Sequence, residues 1–224
     1  MSFNIAIDGP AGAGKSTVAK KVAGKLSFVY VDTGAMYRAL AVLFLQEGIK
    51  ANENDKMIKA CENAEVTISY RDGVQHVFLN GADITDQLRT EEVGNMASAG
   101  SALPEIRAKL LALQKNLAKS YDVVMDGRDI GTNILPGADV KIFLTASAET
   151  RANRRFLELR DKGMERDYAS ILKDIQNRDE RDMSRKTAPL KQAEDAERID
   201  SSDMTADEVV DRILEIVVRK RRQA

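Results

Sequence analysis

At 224 residues, with 43% hydrophobic and 31% charged side chains, the chain suits one α/β domain with room for a small insert and a substantial core. Lys and Arg number 34 against 35 Asp and Glu, so overall attraction to nucleic acid is not expected and an anion site must come from locally placed cations. The one cysteine, Cys61, excludes an internal disulfide, no apolar run is long enough to span a bilayer, and the N-terminus enters a strand without room for a signal peptide; a cytoplasmic protein is expected.

The first strand, over 3–8, carries Ile5 and Ile7 and runs into Gly9-Pro10-Ala11-Gly12-Ala13-Gly14-Lys15-Ser16-Thr17, which fits G-x-x-x-x-G-K-[ST]. Val18, Ala19, Val22, Ala23 and Leu26 follow at helical spacing. Strand, glycine-rich loop and helix are the context this motif needs. Small residues let backbone N–H groups curl around one anion, and the positive helix end adds to the field. A nucleoside triphosphate site is expected, with Lys15 bridging the β- and γ-phosphates and the Ser16 hydroxyl on Mg2+. A chance glycine turn is the alternative, and the flanking strand and helix disfavour it.

A second strand over 28–31 ends at Asp32-Thr33-Gly34. The helix over 35–46 turns Met36, Leu40, Leu43 and Phe44 inward, with Arg38 on its first turn. A short helix over 52–62 includes Cys61, which reads as a packing residue. Then Val66, Ile68 and Tyr70 alternate with polar residues, Arg71-Asp72-Gly73 turns, and a strand over 74–79 ends at Asn80-Gly81. This is a β-hairpin interrupting an alternation of strands and helices, hence an insert, and its His76 reads as an exposed strand residue. A small-residue helix covers 91–102, and Pro104 opens another to about 119.

The strand over 121–125 meets Asp126-Gly127-Arg128-Asp129. It is followed by a strand over 140–144, a charged helix over 148–162 broken at Gly163, a helix over 167–182 and an edge strand over 196–200. Thr205 and Glu208 form a capping box for a last helix whose core face is Val209, Ile213, Ile216 and Val217. Its Arg219-Lys220-Arg221-Arg222 end suits the negative helix terminus better than nucleic acid. Five short apolar strands separated by helices imply a parallel sheet wound on both faces, with ligands at the strands' carboxyl ends. The 9–17 loop, Asp32 and Asp126 all follow such ends. Asp126 closes its strand as an Mg2+-side carboxylate would, although a strand-terminal Asp can also be a cap.

Arg178, Arg181, Asp182 and Arg185 recur at helical spacing and should share a face; Arg151, Arg154 and Arg155 should share another. Such faces are ordinarily solvated and ion-paired, and Glu158, Asp179 and Glu180 lie nearby. Phosphoryl transfer between two anions needs more cations than Lys15 and Mg2+, and guanidinium groups hold phosphates bidentately at every pH. Flanking Gly163, the two arginine groups read as a closing flap.

Four segments carry a resemblance: Gly9 to Thr17, Asp32-Thr33-Gly34-Ala35-Met36-Tyr37-Arg38, Asp126-Gly127-Arg128-Asp129-Ile130-Gly131 and Arg178-Asp179-Glu180-Arg181-Asp182. With them the chain resembles the bacterial cytidylate kinases, of the nucleoside monophosphate (NMP) kinase family, essentially end to end. The phosphate loop is shared with thousands of proteins; the second and third segments are far more specific. At Thr33 some members carry Ser, which keeps the hydroxyl.

The resemblance implies an α/β, P-loop NMP-kinase-like three-layer fold with a five-stranded parallel sheet. It implies one kinase domain over 1–224, an NMP-binding region over 33–105 with its hairpin insert at about 63–86, and a short lid with its flanking arginine helices over 151–185. It implies ATP-dependent, Mg2+-assisted phosphorylation of CMP and dCMP by a monomer with neither nucleic-acid nor membrane partners. Gly9, Pro10, Ala11, Gly12, Ala13, Gly14, Lys15, Ser16 and Thr17 would hold ATP, and Ser16 and Asp126 the metal. Lys15, Arg128, Arg154 and Arg185 would be catalytic. Thr33, Arg38, Arg128 and Arg185 would surround the acceptor phosphate, Arg178 and Asp182 the ribose, and Ser98, Arg107 and Asp129 the cytosine. A carboxylate and a hydroxyl suit cytosine's amino group, while Arg107 suits O2 and N3; uracil would leave these groups mispaired. A P-loop kinase for another small acceptor is the runner-up. A GTP-dependent switch would need an N-K-x-D segment, which is lacking, and a nucleic-acid-dependent ATPase would want a basic surface.

Overall fold

The computed structural model describes residues 2–222. In chain order the elements are β1 (Asn4–Asp8), α1 (Lys15–Leu26), β2 (Val29–Asp32), α2 (Thr33–Gln46), α3 (Asn54–Glu62), β3 (Val66–Arg71), β4 (Val74–Leu79), β5 (Ala82–Asp83), a 3-10 turn (Thr85–Arg89), α4 (Glu91–Gly100), α5 (Pro104–Ser120), β6 (Val123–Gly127), a π-helical turn (Ile130–Ile134), β7 (Val140–Thr145), α6 (Ala148–Asp161), α7 (Tyr168–Ser184), β8 (Glu197–Asp200) and α8 (Ala206–Arg221). The fold is α/β, with a five-stranded sheet in the order β2-β6-β1-β7-β8. β7 runs parallel to β1, with Ile5 opposite Val140, and to β8, with Leu144 opposite Ile199. Ile5, Ala6, Ile7, Val123, Val124, Met125, Val140, Ile142 and Leu144 are all buried, the near-continuous apolar strands that a sheet covered on both faces requires.

The chain divides into two compact units. One holds Ser2 and Val29–Val123; the other holds Phe3–Phe28 and the chain from Val124 onward.

In the first unit α2 begins at Thr33, two residues earlier than its apolar spacing indicates. The Asp32 carboxylate accepts the Ala35 N–H at 2.9 Å and caps the helix there. The hairpin forms as expected, with Arg71 opposite Val74 and both Asp72 and Gly73 at positive φ (51° and 75°), the tight turn that Asp-Gly favours. Asn80-Gly81 is not the hairpin's end. Its φ values of 50° and 81° repeat the same turn chemistry, and β5 pairs with β4 as a third strand. His76 is half-buried rather than exposed, because β5 brings Asp83 Oδ2 to 3.0 Å from its Nδ1. Cys61 is buried, as a packing residue should be.

In the second unit α1 runs unbroken through Gly24 and packs with α8. The capping box of Thr205 and Glu208 is formed, and Val209, Ile213, Ile216 and Val217 are buried with Val210. The basic end of α8 is not simply solvated. Arg221 lies over the rings of Phe3 and Phe28, 4.7 and 5.4 Å from their centroids, and Arg219 pairs with Glu197. α6 and α7 close on Ala152, Leu159 and Ile171, flanked by Phe156, Leu172 and Ile175. Between them Gly163 has φ of 70°, a left-handed residue that ends α6. Among the described residues no helix is long and apolar enough to cross a membrane.

Candidate active site

β1 delivers the chain into the phosphate loop at Asp8. Gly9, at φ of 149°, lies so close to β7 that a Cβ there would overlap the Leu144 carbonyl oxygen, so only glycine fits. Lys15 is buried and its Nζ donates to the Pro10 carbonyl at 2.7 Å, arching back over the loop. Burial, aided by Arg128, pushes the Lys15 ammonium well below its ordinary pKa, against the pull of Asp126, Asp182 and Asp8. An arriving phosphate would favour the charged form again. Ser16 Oγ donates to Asp126 Oδ2 at 2.8 Å, joining the start of α1 to β6.

After β6 the structure gathers Arg128, Asp129, Arg178, Asp182 and Arg185. Arg128 Nε donates to Asp182 Oδ2 at 2.8 Å, and its Nη1 to the Gly127 carbonyl at 3.2 Å. Arg185 Nη2 stands 3.7 Å from Asp129 Oδ1, while its Nε donates to the Ala188 carbonyl at 2.6 Å. Asn133 Nδ2 donates to Asp129 Oδ2 at 3.0 Å. Burial alone would raise the Asp182 carboxyl, but Arg128, then Arg178 and Arg185, more than reverse this and hold it below the usual carboxylate range. Arg181 is not part of this face. It is exposed and donates to the Asn177 carbonyl, because the turn of α7 puts it outside the side on which Asp182 is buried.

The arginines of α6 do not form one face either. Arg151 is buried: its Nε donates to the Ala146 carbonyl at 2.9 Å, its Nη1 to the Ala11 carbonyl of the phosphate loop at 3.0 Å, and both Nη atoms to Asp179, at 3.1 and 2.5 Å. Arg154 donates to the Ser201 carbonyl at 2.6 Å and hydroxyl at 3.3 Å, and Arg155 pairs with Glu158 along the surface. Each long side chain reaches the nearest acceptor, so common spacing yields three different environments.

In the first unit Thr33 is buried at the start of α2, and Arg38 Nη2 donates to Asp32 Oδ2 at 2.8 Å. Arg89 Nη2 lies 3.8 Å from the same oxygen. Gln75 of β4 clamps the Asp32 backbone, accepting from its N–H at 2.9 Å and donating to its carbonyl at 3.2 Å. Arg107 of α5 is buried, donates to the Ser101 carbonyl at 3.3 Å and lies 5.7 Å from the centroid of the Tyr37 ring. The Ser101 hydroxyl donates to the carbonyl of Ser98, which is half-buried on α4. Ser98 and Arg107 thus belong to one short chain of contacts.

Sequence reasoning passed over Asp8, Gln75, Arg89 and Asn133. Asp8 alone carried a signal, since it ends an apolar strand as Asp32 and Asp126 do.

A family profile described as cytidylate kinase matches residues 5–219. Cytidylate kinase of Shouchella clausii is 52% identical over 221 residues, covering 99% of this chain and 98% of its own. That of Caldicellulosiruptor saccharolyticus is 51% identical, covering 96% and 95%, and that of Bacillus subtilis 46% identical, covering 98% of each. Among solved structures, a gluconokinase from Sinorhizobium meliloti aligns with a TM-score of 0.52 at 16% identity, over 97% of this chain and 92% of its own, a likeness of fold alone. Profile and relatives agree along nearly the whole length, and the chain belongs to the cytidylate kinase family.

Proposed function

We infer that the protein transfers the γ-phosphoryl group of ATP to CMP and dCMP, yielding CDP and dCDP with ADP. Family membership supports this, and one structural observation carries the chemistry. The end of β6 meets both sides, with Asp126 bonded to Ser16 of the phosphate loop and Arg128, two residues on, bonded to Asp182 of α7, each at 2.8 Å, so donor loop and α7 cluster converge on one strand end. An acceptor phosphate oxygen bonds to the γ-phosphorus as the bond to the leaving ADP oxygen breaks. This transfer is loose and charge-rich, so the protein's work is positioning and charge stabilisation.

The loop from Gly9 to Thr17 is assigned to the ATP phosphates, and Lys15, Arg128, Arg154 and Arg185 to the transferring group. Arg154 would exchange Ser201 for phosphate. Thr33, Arg38, Arg128 and Arg185 are assigned to the acceptor phosphate, Arg178 and Asp182 to the ribose, and Ser98, Arg107 and Asp129 to the cytosine. The Ser16 hydroxyl and Asp126 carboxylate, 2.8 Å apart, are an all-oxygen pair that fits Mg2+, whose other ligands are usually water and phosphate. Bound there, Mg2+ would neutralise phosphate charge. Residues 33–105 act as the NMP-binding region, and 151–185 as a short lid with flanking arginine helices that excludes water. The protein works as a monomer in pyrimidine nucleotide metabolism in the cytoplasm, where a lone buried thiol stays reduced. Family membership disfavours another acceptor.

ADP release, measured with CMP, dCMP, UMP, AMP and no acceptor, tests the reading. Turnover should be fast with CMP and dCMP and weaker by orders of magnitude with UMP and AMP. Equal use of UMP or AMP would overturn it.

A further inference from the structure

The transfer just described leaves the buried carboxylate of Asp8 without a part. Asp8, the last residue of β1, points its two oxygens at two backbone N–H groups. Oδ1 accepts from Ile130 at 2.8 Å and Oδ2 from Gly131 at 2.7 Å. These N–H groups open the π-helical turn Ile130–Ile134, where helical backbones lack internal acceptors. The same turn hangs from Asp129, whose carbonyl accepts from the N–H groups of Asn133 at 3.0 Å and Ile134 at 3.2 Å, and whose carboxylate accepts from the Asn133 side chain. Space is tight. A Cβ on Gly131 would stand 3.1 Å from Lys141 Cδ and 3.5 Å from Asp8 Oδ2. Asp8 also immediately precedes Gly9, the first residue of the phosphate loop.

We propose that Asp8 is a positioning residue that locks the turn carrying Asp129 to the strand carrying the phosphate loop, and thereby sets the acceptor specificity of the kinase. The proposal rests on the assignment of Asp129 to the cytosine. The geometry demands a carboxylate. Two converging donors need two acceptors, and asparagine would offer one oxygen and turn an NH2 group against the other N–H. Burial pushes the Asp8 carboxyl up to about 6, partly offset by its two backbone hydrogen bonds, with Asp129 raising it further and Lys15 lowering it. A carboxylate kept under such desolvation is a common mark of a functional neighbourhood.

The test compares kcat/KM for CMP and UMP in wild type, Asp8→Asn, Asp129→Ala and the double variant, together with ATP affinity. Asp8→Asn should lower kcat/KM for CMP by about 10-fold to 10²-fold and that for UMP less, as displacement of a reading group does, with ATP affinity within about twofold. In the Asp129→Ala background the selective loss should vanish, because the two residues act as one unit. Equal losses on both acceptors, additivity with Asp129→Ala, or lost ATP affinity would overturn the proposal while leaving Asp129 as the base reader. If Asp129→Ala itself loses CMP and UMP equally, the base assignment falls and this proposal with it. Should Asp8→Asn fold poorly, Asp8→Ser with amide exchange at Ile130 and Gly131 decides: faster exchange supports the lock, unchanged protection refutes it.

Discussion

Two ion pairs share a geometry and differ in their surroundings. Arg38 with Asp32 and Arg128 with Asp182 each meet at 2.8 Å, and in each the arginine side chain is 20% exposed and the aspartate 8%. Around Asp32 the carboxylate and backbone are tied to the start of α2 and to β4. One carboxylate oxygen caps α2, the other holds Arg38 with Arg89 3.8 Å away, and Gln75 clamps the backbone. The Asp182 carboxylate instead lies among guanidinium groups, bonded to Arg128 and acted on by Arg178 and Arg185, with Asp129 beside Arg185. Distance and burial are therefore the same for a carboxylate that caps a helix and for one set among guanidinium groups. The other bonds of the carboxylate differ: Asp32 caps a helix, and Asp182 gathers the arginines of α7.

The difference breaks most visibly at Asp182. Asp182→Asn should lower kcat/KM for CMP by about 10²- to 10³-fold, some 3–4 kcal/mol of transition-state stabilisation. Stability should follow pH separately. The Asp182 carboxyl is held below its ordinary value of 3.8. Its contribution is therefore complete above that value and lost as pH falls through the folded one. The wild-type advantage in denaturant unfolding over Asp182→Asn should persist at pH 7 and shrink below about pH 4. A variant that loses stability but turns over normally per folded molecule would make Asp182 a second Asp32.

A smaller effect is expected at Asp32, and on a different observable. Asp32→Ala removes both a helix cap and the partner of Arg38, and should cost about 2–4 kcal/mol of unfolding free energy. Asp32→Asn keeps a capping oxygen and should recover about 1 kcal/mol of that. Equal stabilities of the two variants would show that the cap contributes nothing and that the pair alone holds the start of α2.

The phosphate loop, the five sheet strands and the hairpin were legible because each follows from local chemistry: glycines before Gly-Lys-Ser, apolar runs, and Asp-Gly between alternating strands. Asp126 was legible as the end of such a run. Asp8 had the same signature, overshadowed by the loop that follows it. The Gln75 clamp was not legible, because its partner Asp32 lies 43 residues away and an amide in a strand carries no local signal. Nor was the split among the α6 arginines, which depends on Asp179, 28 residues on, and on Ser201. Helical spacing groups side chains by direction, but the acceptors that claim each guanidinium come from other elements.

Titration of Arg185→Ala with CMP and with ATP tests most directly whether the α7 cluster serves the acceptor. CMP affinity should fall by about 10²-fold, the scale of a lost charge-assisted contact to phosphate, while ATP affinity stays within about twofold. Weakened ATP binding with CMP affinity intact would contradict the account and assign the cluster to the donor.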